Sequence, residues 1–155
     1  MNQMSFEELC RDASLLLGID DTSALGQGFT VQAKEVLFEA HFMETRSSCL
    51  ILAELGTIAP ENRADVYEQL LALQLLSWDQ QSLRFGFNQA RETAVFCVAT
   101  GLTEQHDGAW LASLLSQIAD QVADWRTTLL AGKVKPPPHV QSLIDSWLEE
   151  IADDA

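Results

Sequence analysis

The chain has 155 residues, of which 47% are hydrophobic and 21% are charged, a balance typical of one globular domain rather than a disordered chain. Its 23 acidic and 9 basic residues give a formal net charge of -14, which argues against nucleic acid or an anionic membrane surface as a partner. The start lacks a basic, apolar leader and no apolar run reaches the ~18 residues of a membrane span, so we expect a cytoplasmic protein.

The first predicted element is a helix that begins at Ser5. Ser5 and Glu8 have the spacing of a capping box, in which a side chain at the helix start bonds the exposed backbone N–H groups. Apolar residues then recur at helical spacing until Gly18, a residue typical of a helix end.

From Phe29 the apolar residues alternate, as they do in a β-strand. The alternation predicts two strands joined by a tight turn at Lys34 and Glu35, followed by a third strand at residues 49–55. The third run is almost continuously apolar, which favours a central strand covered on both faces of the sheet.

A second helix is predicted for residues 60–78, with Pro60 at its first position. Its apolar residues form two adjacent stripes, whereas a surface helix needs only one. Val66, Leu70 and Leu73 form one stripe, and Tyr67, Leu71, Leu75 and Trp78 form the other. Because the sheet of the same chain can cover only one stripe, we predict that a second copy covers the other, which makes a homodimer.

Two more strands, a long helix and a tail complete the predicted order. Residues 83–87 and 93–100 alternate as a hairpin, and Asp107 then caps a helix that ends at Gly132. The stiff segment KVKPPP follows, and residues 140–151 form an acidic amphipathic helix. We therefore predict an α+β domain at residues 1–132, with helices on an antiparallel sheet in the order α-β-β-β-α-β-β-α, and a C-terminal helical extension at residues 133–155.

Candidate catalytic and ligand-binding residues form no recognisable pattern. The three histidines share no helical spacing, no HExxH or CxxC motif is present, and each of the three cysteines lies in an apolar pattern typical of a buried, reduced thiol. No nucleophile lies in a pattern with a base, and no paired carboxylates have usable spacing. We expect no enzyme, no cofactor and no metal site, and the surplus apolar surface predicts a protein that binds another protein.

Several stretches carry a shared pattern of apolar positions along residues 6–130. They are FEELCRDASLLLG in the first helix, VLFEAHF and CLILAELGTIAP in the strands, VYEQLLALQLL in the second helix and LASLLSQIADQVADW in the third. Together these stretches resemble the class I type III secretion chaperones, the Tir-chaperone or CesT-like family.

The resemblance implies a bacterial homodimer with a role in virulence, which binds the N-terminal segment of a secreted effector and keeps it extended for export. A client strand would add to the edge of the sheet and place its side chains in apolar grooves. By this resemblance, the client-binding residues are Leu16, Leu17, Phe29, Val31, Phe38 and Phe42, and the dimer interface is formed by Tyr67, Leu70, Leu71, Gln74 and Trp78.

Two further questions stay open at the level of sequence. The tail helix is too short to be stable alone in water, so it must dock, and we favour its own dimer over a component of the export machinery. The alternative functions are a regulatory adaptor that sequesters a secretion or transcription regulator, and a small enzyme. An adaptor or a chaperone would co-purify with a stoichiometric polypeptide, whereas an enzyme would not.

Overall fold

The computed structural model describes residues 1–77 and 83–131 of the chain. Within these residues, three α-helices and five strands follow each other in the predicted order. They are α1 (Gln3–Leu17), β1 (Val31–Ala33), β2 (Val36–Met43), β3 (Ser48–Thr57), α2 (Arg63–Leu76), β4 (Leu83–Asn88), β5 (Thr93–Gly101) and α3 (Gly108–Thr127). The predicted tail helix and Trp78 lie outside the described residues.

The five strands form one antiparallel sheet with the spatial order β1-β2-β3-β5-β4. The central position predicted for residues 49–55 is confirmed, because β3 pairs with β2 on one side and β5 on the other. The prediction that both its faces are covered is wrong for the single chain. Cys49 and Ile51 are fully buried, but Leu50 and Leu52, which point to the opposite face, remain half-buried.

The helices α1 and α3 pack on the same face of the sheet, and aromatic rings mark the contacts. Phe6 of α1 stacks on Phe42 of β2, with ring centroids 4.9 Å apart. Trp125 of α3 contacts Phe96 of β5 edge-on at 5.1 Å and Phe85 of β4 at 5.4 Å. The core therefore lies between this helical pair and one face of the sheet, which leaves the other face of β3 less covered.

The predicted buried thiols are confirmed for two of the cysteines. Cys10 of α1 and Cys49 of β3 are fully buried and free of disulfides. Burial raises the pKa of each thiol to about 12, and the neighbouring Cys49 raises that of Cys10 further. Both thiols are therefore protonated at neutral pH and behave as small apolar side chains. Cys97 is half-buried, and burial also raises its pKa.

Pro60, predicted at the first position of the second helix, instead begins a 3-10 turn at Pro60–Asn62, and α2 itself begins only at Arg63.

Two further helix ends differ from their predictions. Asn2, not Ser5, caps α1, because its side-chain oxygen accepts hydrogen bonds from the Ser5 N–H and the Ser5 hydroxyl, both at 2.9 Å. The C-terminal end of α3 is at Thr127 and not at Gly132 as predicted. The hydroxyls of Thr127 and Thr128 both donate to the Asp124 carbonyl oxygen at 2.9 Å, and such side-chain bonds compete with the continuation of a helix.

Three other local predictions are confirmed. Gly18 ends α1 in the left-handed region, with φ at 73°, and Asp107 caps α3 by accepting a hydrogen bond from the Trp110 N–H at 2.8 Å. Lys34 and Glu35 form the two-residue turn between β1 and β2, with φ values of 50° and 64°. Positive φ at both positions matches the twist of the flanking strands, even though neither residue is glycine or asparagine.

The side chain of Arg126, near the end of α3, fastens that helix to the sheet. It donates to three backbone carbonyl oxygens, those of Leu55 at 2.7 Å, Glu35 at 2.8 Å and Glu54 at 3.1 Å. The pairing of β3 with β5 shifts between Glu54 and Gly56, so regular strand bonding is interrupted at this point. The guanidinium supplies donors where the sheet is irregular and holds the β1–β2 turn to the same helix.

We expect Arg126→Met to lower the free energy of unfolding by about 2–4 kcal/mol, because the variant keeps most of the apolar stem and removes all three charge-assisted bonds. Urea denaturation followed by circular dichroism measures the loss. The control is Arg91→Met, which removes an exposed guanidinium that bonds the carboxylate of Glu54, and its effect should be clearly smaller. Equal effects of the two variants would contradict the role of Arg126.

Candidate functional site

The first exposed apolar surface, here called the α2–β4 surface, is formed by Tyr67, Leu71, Leu75 and Phe87. Leu71 and Leu75 are each 72% exposed, and Phe87 is 44% exposed. The rings of Tyr67 and Phe87 contact each other edge-on, with centroids 5.9 Å apart, so helix and strand contribute to one continuous patch. Such a patch on a folded chain marks an interaction site.

The opposite side of α2 explains why this helix has two apolar stripes instead of one. Val66 is fully buried, Leu73 is 6% exposed, and both belong to the core beneath the helix. Leu70 lies between the two stripes and is half-buried. The stripe of Val66 and Leu73 therefore serves the chain's own fold, and the stripe that includes Leu71 is left for another surface.

A groove with a volume of about 270 Å³ runs between α2 and β4. It is lined by Tyr67, Leu70, Leu71, Gln74, Phe85, Gly86 and Phe87. The structure thus brings together four of the five residues predicted at the dimer interface, and the fifth, Trp78, lies outside the described residues. Phe87 was not among the predicted interface residues, although the alternation that it shares with Leu83 and Phe85 indicates that it lies on the same face of β4.

Gln74 is the polar residue of this groove, and its amide reaches the backbone of β4. Its Nε2 donates to the Leu83 carbonyl oxygen at 3.2 Å, and its Oε1 accepts from the Phe85 N–H at 2.9 Å. The side chain is half-buried and uses both ends of its amide. These two bonds hold α2 along the outer edge of β4 and fix the shape of the groove.

The second exposed apolar surface, here called the α1–β1 surface, contains Leu15, Leu16 and Phe29. Leu15 and Leu16, near the end of α1, are each 64% exposed, and Phe29, two residues before β1, is 61% exposed. The short turn at Leu25–Gln27 packs closely on α1, where a Cβ on Gly26 would lie 2.9 Å from a backbone atom. This packing ties the entry of β1 to the helix.

The six predicted client-binding residues differ in how exposed their side chains are. Leu16 and Phe29 are well exposed, whereas Leu17 and Phe42 are half-buried and pack against the core. Val31 and Phe38 are 6% and 0% exposed, so their side chains belong to the core and present no surface in this conformation. Sequence alternation places Val31 and Phe38 on one face of a hairpin, which is correct, but that face is the inner one.

Strand β1 lies at an edge of the sheet, next to the α1–β1 surface. It is three residues long and pairs with β2 alone. Across residues 1–77 and 83–131, no side chain hydrogen-bonds to the backbone of Val31–Ala33. An edge of this kind is open to an extended chain, whose N–H and C=O groups can continue the sheet.

The outer face of the sheet also holds a small cavity that the sequence analysis did not predict. Its floor is formed by Leu37, Leu52 and Val95, and Arg91 reaches across it to Glu54. Two hydrogen bonds, at 2.7 and 3.1 Å, join the guanidinium to this carboxylate, and they and the charge of Glu54 raise the pKa of Arg91. Arg91 is exposed and Glu54 is half-buried, and the two charges pair with each other, so together they form a polar cover over apolar side chains.

The described residues provide neither a metal site nor a membrane-spanning helix. In the part of the chain that the structure describes, no group of three or more His, Cys, Asp or Glu side chains is placed to hold a metal ion. Among the described helices, none is both long enough and apolar enough to cross a membrane.

Solved structures that share this fold include two complexes. One is the crystal structure of the ExsC–ExsE complex, which has a chain 15% identical to this one and a TM-score of 0.62, with 82% of this chain and 95% of that chain covered. The other is the HopA1–SchA chaperone–effector complex, also 15% identical, with a TM-score of 0.56 and coverage of 81% and 96%. The sequence matches no protein-family model, and no curated protein matches it.

These likenesses extend along almost the whole length of the matched chains, so they concern the complete α+β unit rather than a fragment of it. The fold expected from the resemblance is confirmed. The chain has the fold of the class I type III secretion chaperones, with a five-stranded antiparallel sheet and its helices in the order described above.

Proposed function

We propose that this chain is a type III secretion chaperone that works as a homodimer in the bacterial cytoplasm, binds the N-terminal segment of a secreted effector and keeps that segment extended for export. The observation that carries the proposal is the pairing of this fold, which a chaperone–effector complex shares, with two separate exposed apolar surfaces. Binding of this kind needs no cofactor and no catalysis.

The two surfaces suit two different partners. The α2–β4 surface is a helix and strand face with a groove, and a second copy of the same chain can cover it symmetrically through Tyr67, Leu70, Leu71, Gln74 and Trp78. The α1–β1 surface borders an open strand edge, which suits an extended client. Assigning one surface to each partner covers both of these exposed apolar surfaces in the complex.

Exposure decides which predicted client-binding residues make contact. We assign direct contact to Leu16, Phe29 and the half-buried Leu17 and Phe42. Val31 and Phe38, although predicted with them, would shape the edge from the core side.

The energetics of client binding are modest. Ordering a client segment costs roughly 2–5 kcal/mol. Burial of apolar surface contributes about 25 cal/mol per Å², so about 200 Å² of additional burial offsets the upper figure. Exposed leucine and phenylalanine side chains of the α1–β1 surface can supply an area of this order when a client covers them. The net charge of -14 adds a preference for a client segment with lysine or arginine.

Co-purification tests the proposal. We expect the chain, isolated from its own bacterium, to carry a polypeptide in stoichiometric amount, and limited proteolysis of that complex to leave the N-terminal segment of the polypeptide protected. A folded partner that stays intact without the chain would contradict the extended-client model. Recovery of the chain without any stoichiometric polypeptide would favour the alternative of a small enzyme.

The tail gives a separate prediction. Residues 140–151 are predicted to form a helix with an apolar stripe, and a helix this short is not stable alone in water. Deletion from Lys135 onward should leave the dimer intact and lower the melting temperature by roughly 2–4 °C, the effect of losing about 1 kcal/mol of docking. Calorimetry measures the shift. An unchanged melting temperature, with the 5-fluorotryptophan signal of Trp147 showing full solvent exposure, would contradict docking on the chain's own dimer.

A further inference from the structure

The two edges of the sheet differ in how their backbone groups are satisfied. An edge strand offers a row of unpaired N–H and C=O groups to any extended chain that meets it. In β4 the groups of Leu83 and Phe85 that reach Gln74 point away from β5, along the outer edge of the sheet. The corresponding edge of β1 has no such side-chain partner within residues 1–77 and 83–131.

The amide of Gln74 has the same two functional groups as a peptide unit. One N–H donates to the Leu83 carbonyl oxygen and the oxygen accepts from the Phe85 N–H, so the side chain makes two of the bonds that an added strand would make. A strand that approached β4 here would first have to displace this amide. Displacement would leave a half-buried polar side chain without partners, which is costly.

We infer that Gln74 closes the outer edge of β4 to strand addition and thereby directs an extended client to β1. This inference rests on the proposed function for the client, but the closure itself does not. The side chains of Phe85 and Phe87 stay available on the groove, so the α2–β4 surface can pack against a second copy through side chains and not through a continuous intermolecular sheet.

Amide hydrogen exchange tests the closure directly. We use the Leu71→Asp variant as background, whose charge keeps a second copy off the α2–β4 surface. In this background the Phe85 amide should exchange at least roughly tenfold more slowly than the Phe87 amide. Adding Gln74→Leu should abolish the difference, whereas Gln69→Leu, a matched amide-to-leucine change on the same helix, should preserve it. Equal exchange at Phe85 and Phe87 before any change at Gln74 would overturn the closure.

A second measurement is needed to show which edge of the sheet accepts an added strand. The probe is a fluorescent peptide of about eight residues with alternating valine and lysine, which can form a basic strand. By titration, Leu71→Asp and its Gln69→Leu derivative should each bind one peptide per protomer, and the Gln74→Leu derivative should bind two. One peptide in all three variants would overturn the directing role of Gln74. Binding of none would overturn strand addition itself, and the exchange result would still decide the closure.

Discussion

Replacing Leu71 with aspartate is expected to convert the proposed homodimer into monomers, with a dissociation constant raised more than about 100-fold. Leu71 is 72% exposed in the single chain, so the substitution removes little that stabilises the protomer. In a symmetric dimer the new carboxylate would be buried twice, once from each copy, without a positive partner. An uncompensated buried charge costs about 3–5 kcal/mol, and each 1.4 kcal/mol changes an affinity tenfold.

Sedimentation velocity at tens of micromolar protein measures the outcome, and circular dichroism verifies that the protomer remains folded. Leu15→Asp is the matched control, because Leu15 is a similarly exposed helical leucine, at 64%, on the α1–β1 surface. That variant should remain a dimer. A wild-type chain that sediments as a monomer under the same conditions would contradict the dimer and leave the α2–β4 surface in need of another partner.

Phe29→Glu is expected to weaken client binding more than about tenfold without changing helix content. Phe29 is 61% exposed at the entry to the open edge, and burial of a phenylalanine side chain contributes about 1.5–3 kcal/mol. The glutamate also adds negative charge at the surface where the proposed client would present basic residues. Fluorescence anisotropy with the N-terminal segment of the co-purified polypeptide measures the change, and Phe29→Leu, which keeps the apolar surface, should retain most of the affinity.

The same substitution at Phe38 would test the stability of the core and not the binding of a client. Phe38 is fully buried, so Phe38→Glu would put a charge into the core and is expected to unfold the chain rather than to release a client selectively.

For Phe29→Glu, unchanged client affinity with a native circular dichroism spectrum would place the client-binding site away from the α1–β1 surface.

Much of the fold could be predicted from local pattern. The change of period at Phe29, the turn at Lys34 and Glu35, and the two stripes of the second helix each depend on residues close together in sequence. The strands, the turn and the helix are present in the structure, although β1 begins at Val31 and not at Phe29. The ends of helices were harder to predict from local pattern. Asn2 and Ser5 are both good capping residues, and only the hydrogen bond that the Ser5 N–H donates to the Asn2 side-chain oxygen shows which of them caps α1.

The sequence by itself therefore determined the order of elements and the excess of apolar surface on α2, because periodicity is a property of neighbouring residues. Only the tertiary structure decided which apolar residues stay accessible. Phe29 and Phe38 belong to the same alternating run, yet one is 61% exposed and the other is buried, since their surroundings come from distant parts of the chain. The bonds from Gln74 to β4 likewise exist because the fold brings a helix alongside an edge strand, a contact that no local pattern contains.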